Sequence, residues 1–209
     1  MDAFRTEAEI AFRRKARDYF AREYGPAPSG GLPPGERVWR ELFGDGPGGP
    51  DLSARVLAVD EAASRAPRLG PELIHGRRSL GEPDGLELKL LELAVSTGTA
   101  AHILEAGTLA ARAKGLFASS LMGFRDAQER LAGLAVGAEL LRLGTLRVCR
   151  LAGRGEADRS IAEVEPLLAR SRAFRDEALS VARDLLGEDW TRDRIPVFPR
   201  PAADERTRS

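Results

Sequence analysis

The side chains best suited to chemistry gather in the middle of this 209-residue chain. Glu87, Glu92 and Glu105 fall in one leucine-rich stretch, Leu86 to Lys114. A carboxylate set against a dry cavity on such a helix could act as a general base; the plainer reading is a solvated glutamate on a helix surface. His75 and His102 stand apart, and no Cys/His spacing matches a zinc site, so no metal is expected. Cys149 has no histidine near it in sequence and reads as a small packing residue rather than a nucleophile. Arg77-Arg78 could meet a phosphate, against the simpler account of a solvated pair. The glycine clusters do not follow a strand and open a helix, as a phosphate-binding loop requires.

The elements that would position these residues are all helical. Asp2 to Tyr24 predicts a helix with Phe4, Ala8, Ala11, Phe12, Ala16, Tyr19 and Phe20 on one side and Arg5, Glu9, Arg13, Arg17 and Asp18 toward water, stopped by Gly25-Pro26. Glu36 to Phe43 predicts a short helix, and Asp51 caps another that runs through Ala66 with Leu52, Val56, Val59 and Ala63 buried. Pro67 to Gly85 is dense in breakers and reads as a linker. Asp84 caps the Leu86–Lys114 helix. Beyond a short turn, Phe124, Ala127, Leu131, Leu134, Ala138, Leu141 and Val148 recur at helical spacing, so Leu109 to Arg150 reads as the central hairpin of a bundle. A last helix spans Ser160 to Leu186 with Ile161, Val164, Leu168, Phe174, Ala178, Val181 and Leu185 inward, Pro166 being tolerable in its first turn alone. The expected organisation is all-α: an N-terminal helical domain over 1–70, a linker over 71–85, a C-terminal bundle over 86–190 and an irregular tail over 191–209.

Bulk composition narrows the function classes. Acidic and basic residues balance at 32 each, which gives no overall field toward nucleic acid or an anionic membrane. Lys15, Lys89 and Lys114 are the lysines; arginine supplies the rest of the positive charge. The single cysteine fits a reducing cytoplasm. The N-terminus is amphipathic and acidic rather than a signal or transit peptide, and no apolar run is long enough to span a bilayer.

The order of segments resembles the acyl-CoA dehydrogenases. FRRKARDYFAREYGP (12–26) is similar to the family's first helix, VWRELFGDG (38–46) to its tryptophan-bearing second, and LSARVLAVDEAASRAPRLG (52–70) to the helix closing the N-terminal domain. ARAKGLFASSLMGFRDAQERLAGLA (111–135) resembles the segment in which an arginine, a Gln-Phe-Gly turn and a glutamine precede Leu-Ala, and SRAFRDEALSVARDLLGEDW (171–190) resembles the last bundle helix. The resemblance implies FAD, an acyl-CoA substrate and association through the C-terminal helices.

It also implies where this chain departs. The family's β-domain, which supplies much of the flavin and acyl-CoA site, is replaced by the stretch from Gly70 to Gly85. The family's flavin-contacting positions fall on Lys114, Phe117 and Arg125, of which Phe117 alone keeps the family residue. The Glu-Gly-Thr base has no counterpart after Trp190, which leaves Glu87 and Glu92 as candidate bases, by analogy with members that carry the base on the corresponding helix. Abstracting an α-hydrogen beside a thioester needs a carboxylate on one face and a flavin on the other, and without the β-layer one face stands open. The favoured expectation is therefore a helical scaffold or subunit, pairing with a second copy or with a full-length relative. The alternative is an FAD-dependent acyl-CoA dehydrogenase with flavin at a subunit interface, and a third is a bundle that converged on similar patterns.

Overall fold

A computed structural model describes residues 6–24, 35–43, 51–80, 83–113, 115–116, 119–120 and 125–195. In chain order the helices are α1 (Glu7–Glu23), α2 (Gly35–Phe43), α3 (Leu52–Arg65), α4 (Leu69–Ser79), α5 (Gly85–Ala113), α6 (Arg125–Gly153), α7 (Ala157–Leu186) and α8 (Glu188–Arg194). Between α5 and α6 two short strands, β1 (Gly115–Leu116) and β2 (Ser119–Ser120), pair antiparallel with Gly115 opposite Ser120. The fold class is all-α. No helix among the described residues is long and apolar enough to cross a membrane.

Side-chain caps fix several helix starts. Thr6 and Glu9 form a reciprocal capping box at α1. Asp51 Oδ1 accepts from the Ala54 amide at 2.7 Å, and Asp84 Oδ1 from the Glu87 amide at 2.7 Å, as the sequence predicts. The α6 stripe holds for Ala127, Leu131, Leu134, Ala138, Leu141 and Val148, all buried, while Phe124 lies outside the described residues.

The expected linker at 71–85 is instead mostly helix α4, and its glycines explain the difference. A Cβ on Gly76 would lie 2.2 Å from the backbone of Gly35 and Glu36, and a Cβ on Gly35 would lie 2.0 Å from the Glu72 carbonyl oxygen. The two glycines let α2 and α4 touch backbone to backbone, so Gly76 marks a close contact rather than a break. Pro71 sits in the first turn of α4, where its missing N–H costs nothing. Trp39 then locks the pair, its indole N–H donating to the Leu73 carbonyl at 2.6 Å while its ring stacks on Phe43 at 4.9 Å.

The C-terminal end also differs from expectation. α7 begins at Ala157 and carries Pro166 well inside it. Pro166 and Ala162 both face solvent, so water can satisfy the carbonyl that loses its partner. Ile161 is 51% exposed rather than inward. The tail expected from 191 opens as α8, whose Thr191 and the following Ile195 are buried.

Two apolar clusters fill the interior. One joins Phe20, Trp39, Val59 and Leu73 of α1–α4 with Leu90, Leu91, Leu93, Ala94 and Val95 of α5, Val148 and Cys149 of α6, and Val164 and Leu168 of α7. The other joins Ile103 of α5, Leu134 and Leu141 of α6, Phe174, Val181 and Leu185 of α7, and Ile195. The long helices α5, α6 and α7 thus run through both, and the N-terminal helices share a core with the bundle instead of forming a separate body.

Candidate functional site

The two glutamates singled out as bases have opposite surroundings. Glu87, in the first turn of α5, is buried between two arginines. Arg55 Nη1 of α3 donates to its Oε1 at 2.6 Å, and Arg77 of α4 donates Nε to Oε1 at 2.9 Å and Nη2 to Oε2 at 3.3 Å. A carboxylate so paired is a brace among three helices. Glu92 lies on the exposed side of α5. Desolvation by crowding side chains lifts its carboxyl above the usual range, against the pull of Arg172, Arg78, Arg175 and Lys89. Of the two, Glu92 is the accessible one.

Charge is also buried where the apolar pattern gave no warning. Asp60 of α3 meets Arg142 of α6 in a fork, Nε to Oδ2 at 2.7 Å and Nη2 to Oδ1 at 3.0 Å. Thr97 of α5 adds a hydroxyl donor to Oδ1 at 2.8 Å, and Glu139 accepts from Arg142 Nη1 at 2.8 Å. Burial pushes the Asp60 carboxyl up, but Arg142, with Arg13 and Thr97, outweighs it and holds the group below the ordinary range. Beside it, Glu61 accepts from Arg13 and, at 3.2 Å, from Arg17 Nε. Glu9, expected in water, is buried and takes Arg150 of α6, Nη2 to Oε2 at 2.5 Å. Burial would raise its carboxyl, yet Arg150 and Thr6 together hold it lowered. These contacts tie α1 to α3, α1 to α6, and α3 to α6. The sequence carried one hint: Asp60 follows Val56 by a helical turn and so shares its buried face.

The remaining candidates settle into structural places. Cys149 is buried, and desolvation pushes its thiol up to about 12, which leaves no thiolate for attack near neutrality. His102 is half-buried, donates its Nδ1–H to the Ser64 carbonyl at 3.1 Å and stacks on Trp190 at 5.7 Å. Among the described residues no group of three or more His, Cys, Asp or Glu could hold a metal.

Of the family's flavin-contacting positions, Lys114 and Phe117 lie outside the described residues. Arg125 opens α6, is 90% exposed and gives its Nε to Glu129 at 2.5 Å. A cavity of about 830 Å³ does open between α1 and α2, lined by Arg14, Lys15, Tyr19, Arg37 and Glu41 among others, remote in sequence from every expected cofactor residue. Its floor is tied by the Tyr19 hydroxyl donating to Glu41, with burial first and this bond second raising the phenol well above its ordinary range.

The outer face of α6 carries a run of exposed small and apolar residues. Ala132, Gly133, Val136 and Leu140 are exposed and Leu143 half-exposed, with Val136 at 57% and Leu140 at 48%. Neighbouring glycines on the helix show what is unusual here. A Cβ on Gly137 would strike Phe174 at 2.4 Å and one on Gly144 would strike Leu167 at 2.7 Å, whereas one on Gly133 would meet a single atom, Glu177 Oε1, at 3.8 Å. Among the described residues nothing requires Gly133 to be glycine. When the chain is compared with known proteins, no family model, no curated protein and no solved structure matches it.

Proposed function

We propose that this chain is an acyl-CoA dehydrogenase-like helical scaffold or subunit that works by association rather than by catalysis of its own. Support comes from the segment-by-segment resemblance, from the commitment of Glu87 to two arginines, and above all from the bare apolar face of α6. That face is a straight stripe: Glu129, Ala132, Gly133, Val136, Leu140, Leu143 and Arg147 project on one side of an α-helix.

The stripe complements itself. If a second copy lies antiparallel across it, with the two-fold axis midway between Val136 and Leu140, Val136 of each copy faces Leu140 of the other. Leu143 then meets Ala132 and Gly133, a large side chain over a small surface. At the ends Glu129, paired with Arg125, comes opposite Arg147 of the other copy, paired with Glu163, so the charges that meet there are of opposite sign. Such an isologous contact is the commonest way for a chain to pair, and close approach gives the mid-helix Gly133 its reason. Exposed apolar area of this kind is otherwise costly in water.

Sedimentation equilibrium at micromolar concentration tests the reading. Wild-type protein is expected to be dimeric, and Val136→Arg with Leu140→Arg to be monomeric with an unchanged helical circular-dichroism spectrum. A monomeric wild type would overturn the homodimer. A flavin absorption band that survives desalting would overturn the non-catalytic half of the proposal and favour a flavoenzyme completed at a subunit interface.

A further inference from the structure

The cavity between α1 and α2 has walls of one character. Among the described residues Ala11 and Leu42 are its apolar members, and the rest of the lining is charged apart from the Tyr19 phenol. An acyl chain seated there would strip water from those charges without replacing it, so the occupant that fits is hydrophilic. Most of the charges answer one another. The Tyr19 hydroxyl donates to Glu41, Arg37 Nε donates to the other oxygen of that carboxylate at 2.6 Å, and Arg22 Nε donates to Glu23 at 2.9 Å. Three groups of α1 are left over. Lys15 Nζ gives one proton to the Leu42 carbonyl at 3.1 Å, which fixes the ammonium at the wall with its other protons to spare. Arg14 and Asp18 line the cavity, are exposed, and join no ion pair among the described residues. Asp18 follows both cations by one helical turn, so all three project on the same side of α1.

We propose that this cavity binds a small phosphorylated polyol, a molecule of the sugar-phosphate class, with its phosphate on Arg14 and Lys15 and its hydroxyls donating to Asp18. A phosphate monoester carries about two negative charges near neutrality, which two cations balance, and its oxygens accept from a guanidinium and an ammonium alike. The Asp18 carboxylate then needs neutral donors, and a polyol supplies them. Inorganic phosphate would satisfy the cations but would bring its charge up to Asp18 with no donor between. The volume, about 830 Å³, also has room for a molecule of that size rather than for a lone ion. The cavity shares no residue with the α6 stripe and does not require the dimer.

Isothermal titration calorimetry with glucose-6-phosphate at low ionic strength tests this directly. Wild type is expected to bind it and to ignore unphosphorylated glucose. Arg14→Gln with Lys15→Gln is expected to bind about tenfold or more weakly. Arg154→Gln with Arg183→Gln removes the same charge elsewhere and is expected to leave affinity within about twofold. Asp18→Asn separates the two contacts: it should weaken glucose-6-phosphate by about threefold or more and leave inorganic phosphate bound no less tightly. Far-ultraviolet circular dichroism of each variant is expected to match wild type; should loss of the Lys15 bond to α2 disturb the fold, Arg14→Gln alone carries the test, since Arg14 braces nothing among the described residues. Absence of binding by the folded wild type, or an equal loss in both double variants, would overturn the proposal. Inorganic phosphate bound as tightly as glucose-6-phosphate, or an Asp18→Asn protein unchanged toward glucose-6-phosphate, would overturn it in favour of a simple anion site. The dimer test stands apart, because Val136→Arg with Leu140→Arg leaves this cavity untouched.

Discussion

Around Asp60 the helices meet through buried charge, whereas around Ile103 and Leu134 they meet through apolar side chains and a few hydroxyls. Glu9, Asp60, Glu61, Glu87 and Arg142 are the buried charged residues among those described, and all belong to the first region. Each acid there takes an arginine from another helix. Burying such pairs gains little stability over apolar packing, but an unmatched register would leave a charge stranded at severe cost. The charged half therefore fixes which helices meet and at what offset. The apolar half is held by packing, with the exposed-edge pair Arg130–Asp184 between α6 and α7, and it is there that α6 keeps an uncovered face.

The largest effect should come from stranding one of those charges. Asp60→Ala leaves the Arg142 guanidinium buried beside Glu139 alone, and is expected to cost about 3–5 kcal/mol in urea unfolding. Replacing both partners, Asp60→Leu with Arg142→Met, should recover most of that loss, because two apolar side chains remove the penalty along with the pair. A double variant as unstable as the single would mean that Thr97 and Glu139 depend on the pair, and that the charged half is one cooperative network.

The next contrast uses one substitution in both halves. A Cβ on Gly98 would lie 2.3 Å from the Asp60 carbonyl oxygen and 2.7 Å from the Ala63 side chain, so α3 must move away from α5. Gly98→Ala is expected to cost about 1–3 kcal/mol, as overpacking does. Gly133→Ala should do the reverse in the isolated chain, stabilising α6 by up to about 1 kcal/mol through helix propensity. In the dimer the added methyl would push against Leu143 of the second copy and weaken association. Thermal melts at low and high protein concentration separate the two effects, and a stabilisation that is the same at both would count against the close α6 contact.

Much of this was legible in the chain, and what was not has identifiable causes. The α6 stripe and the Asp51 and Asp84 caps depend on neighbours a turn away, so periodicity and capping chemistry reveal them. Arg142 and Asp60 are 82 positions apart, and Arg150 and Glu9 are 141 apart. No local pattern reports such partners, so Glu9 read as a solvated residue. Helix α4 was hidden by its own contact: Gly76 resembles a breaker until Gly35 is seen against it. The two candidate bases looked alike in sequence, since each is a glutamate among leucines, and what separates them is the arrival of Arg55 and Arg77 from other helices. Lys114 and Phe117 remain expectations, while Arg125 is a solvated helix-start residue paired within its own turn.

The smallest expected effect lies in the apolar half, where His102 is a half-buried imidazole. Desolvation lowers the His102 imidazole below its ordinary 6.5, opposed by the Ser64 carbonyl and Glu105 and aided by Arg194 and Arg65. The fold therefore prefers the neutral ring stacked on Trp190. The unfolded chain takes up its proton first as pH falls, so the stabilisation is complete above 6.5 and is lost as pH drops through the lowered folded value. His102→Gln should flatten stability against pH in that window, judged by subtracting its urea-unfolding curve from that of wild type. The carboxylates around Asp60 titrate in both proteins and cancel in the difference. If the difference stays flat from neutral pH to well below 6.5, the ring accepts its proton in place, and the apolar half is wetter at Trp190 than its packing implies.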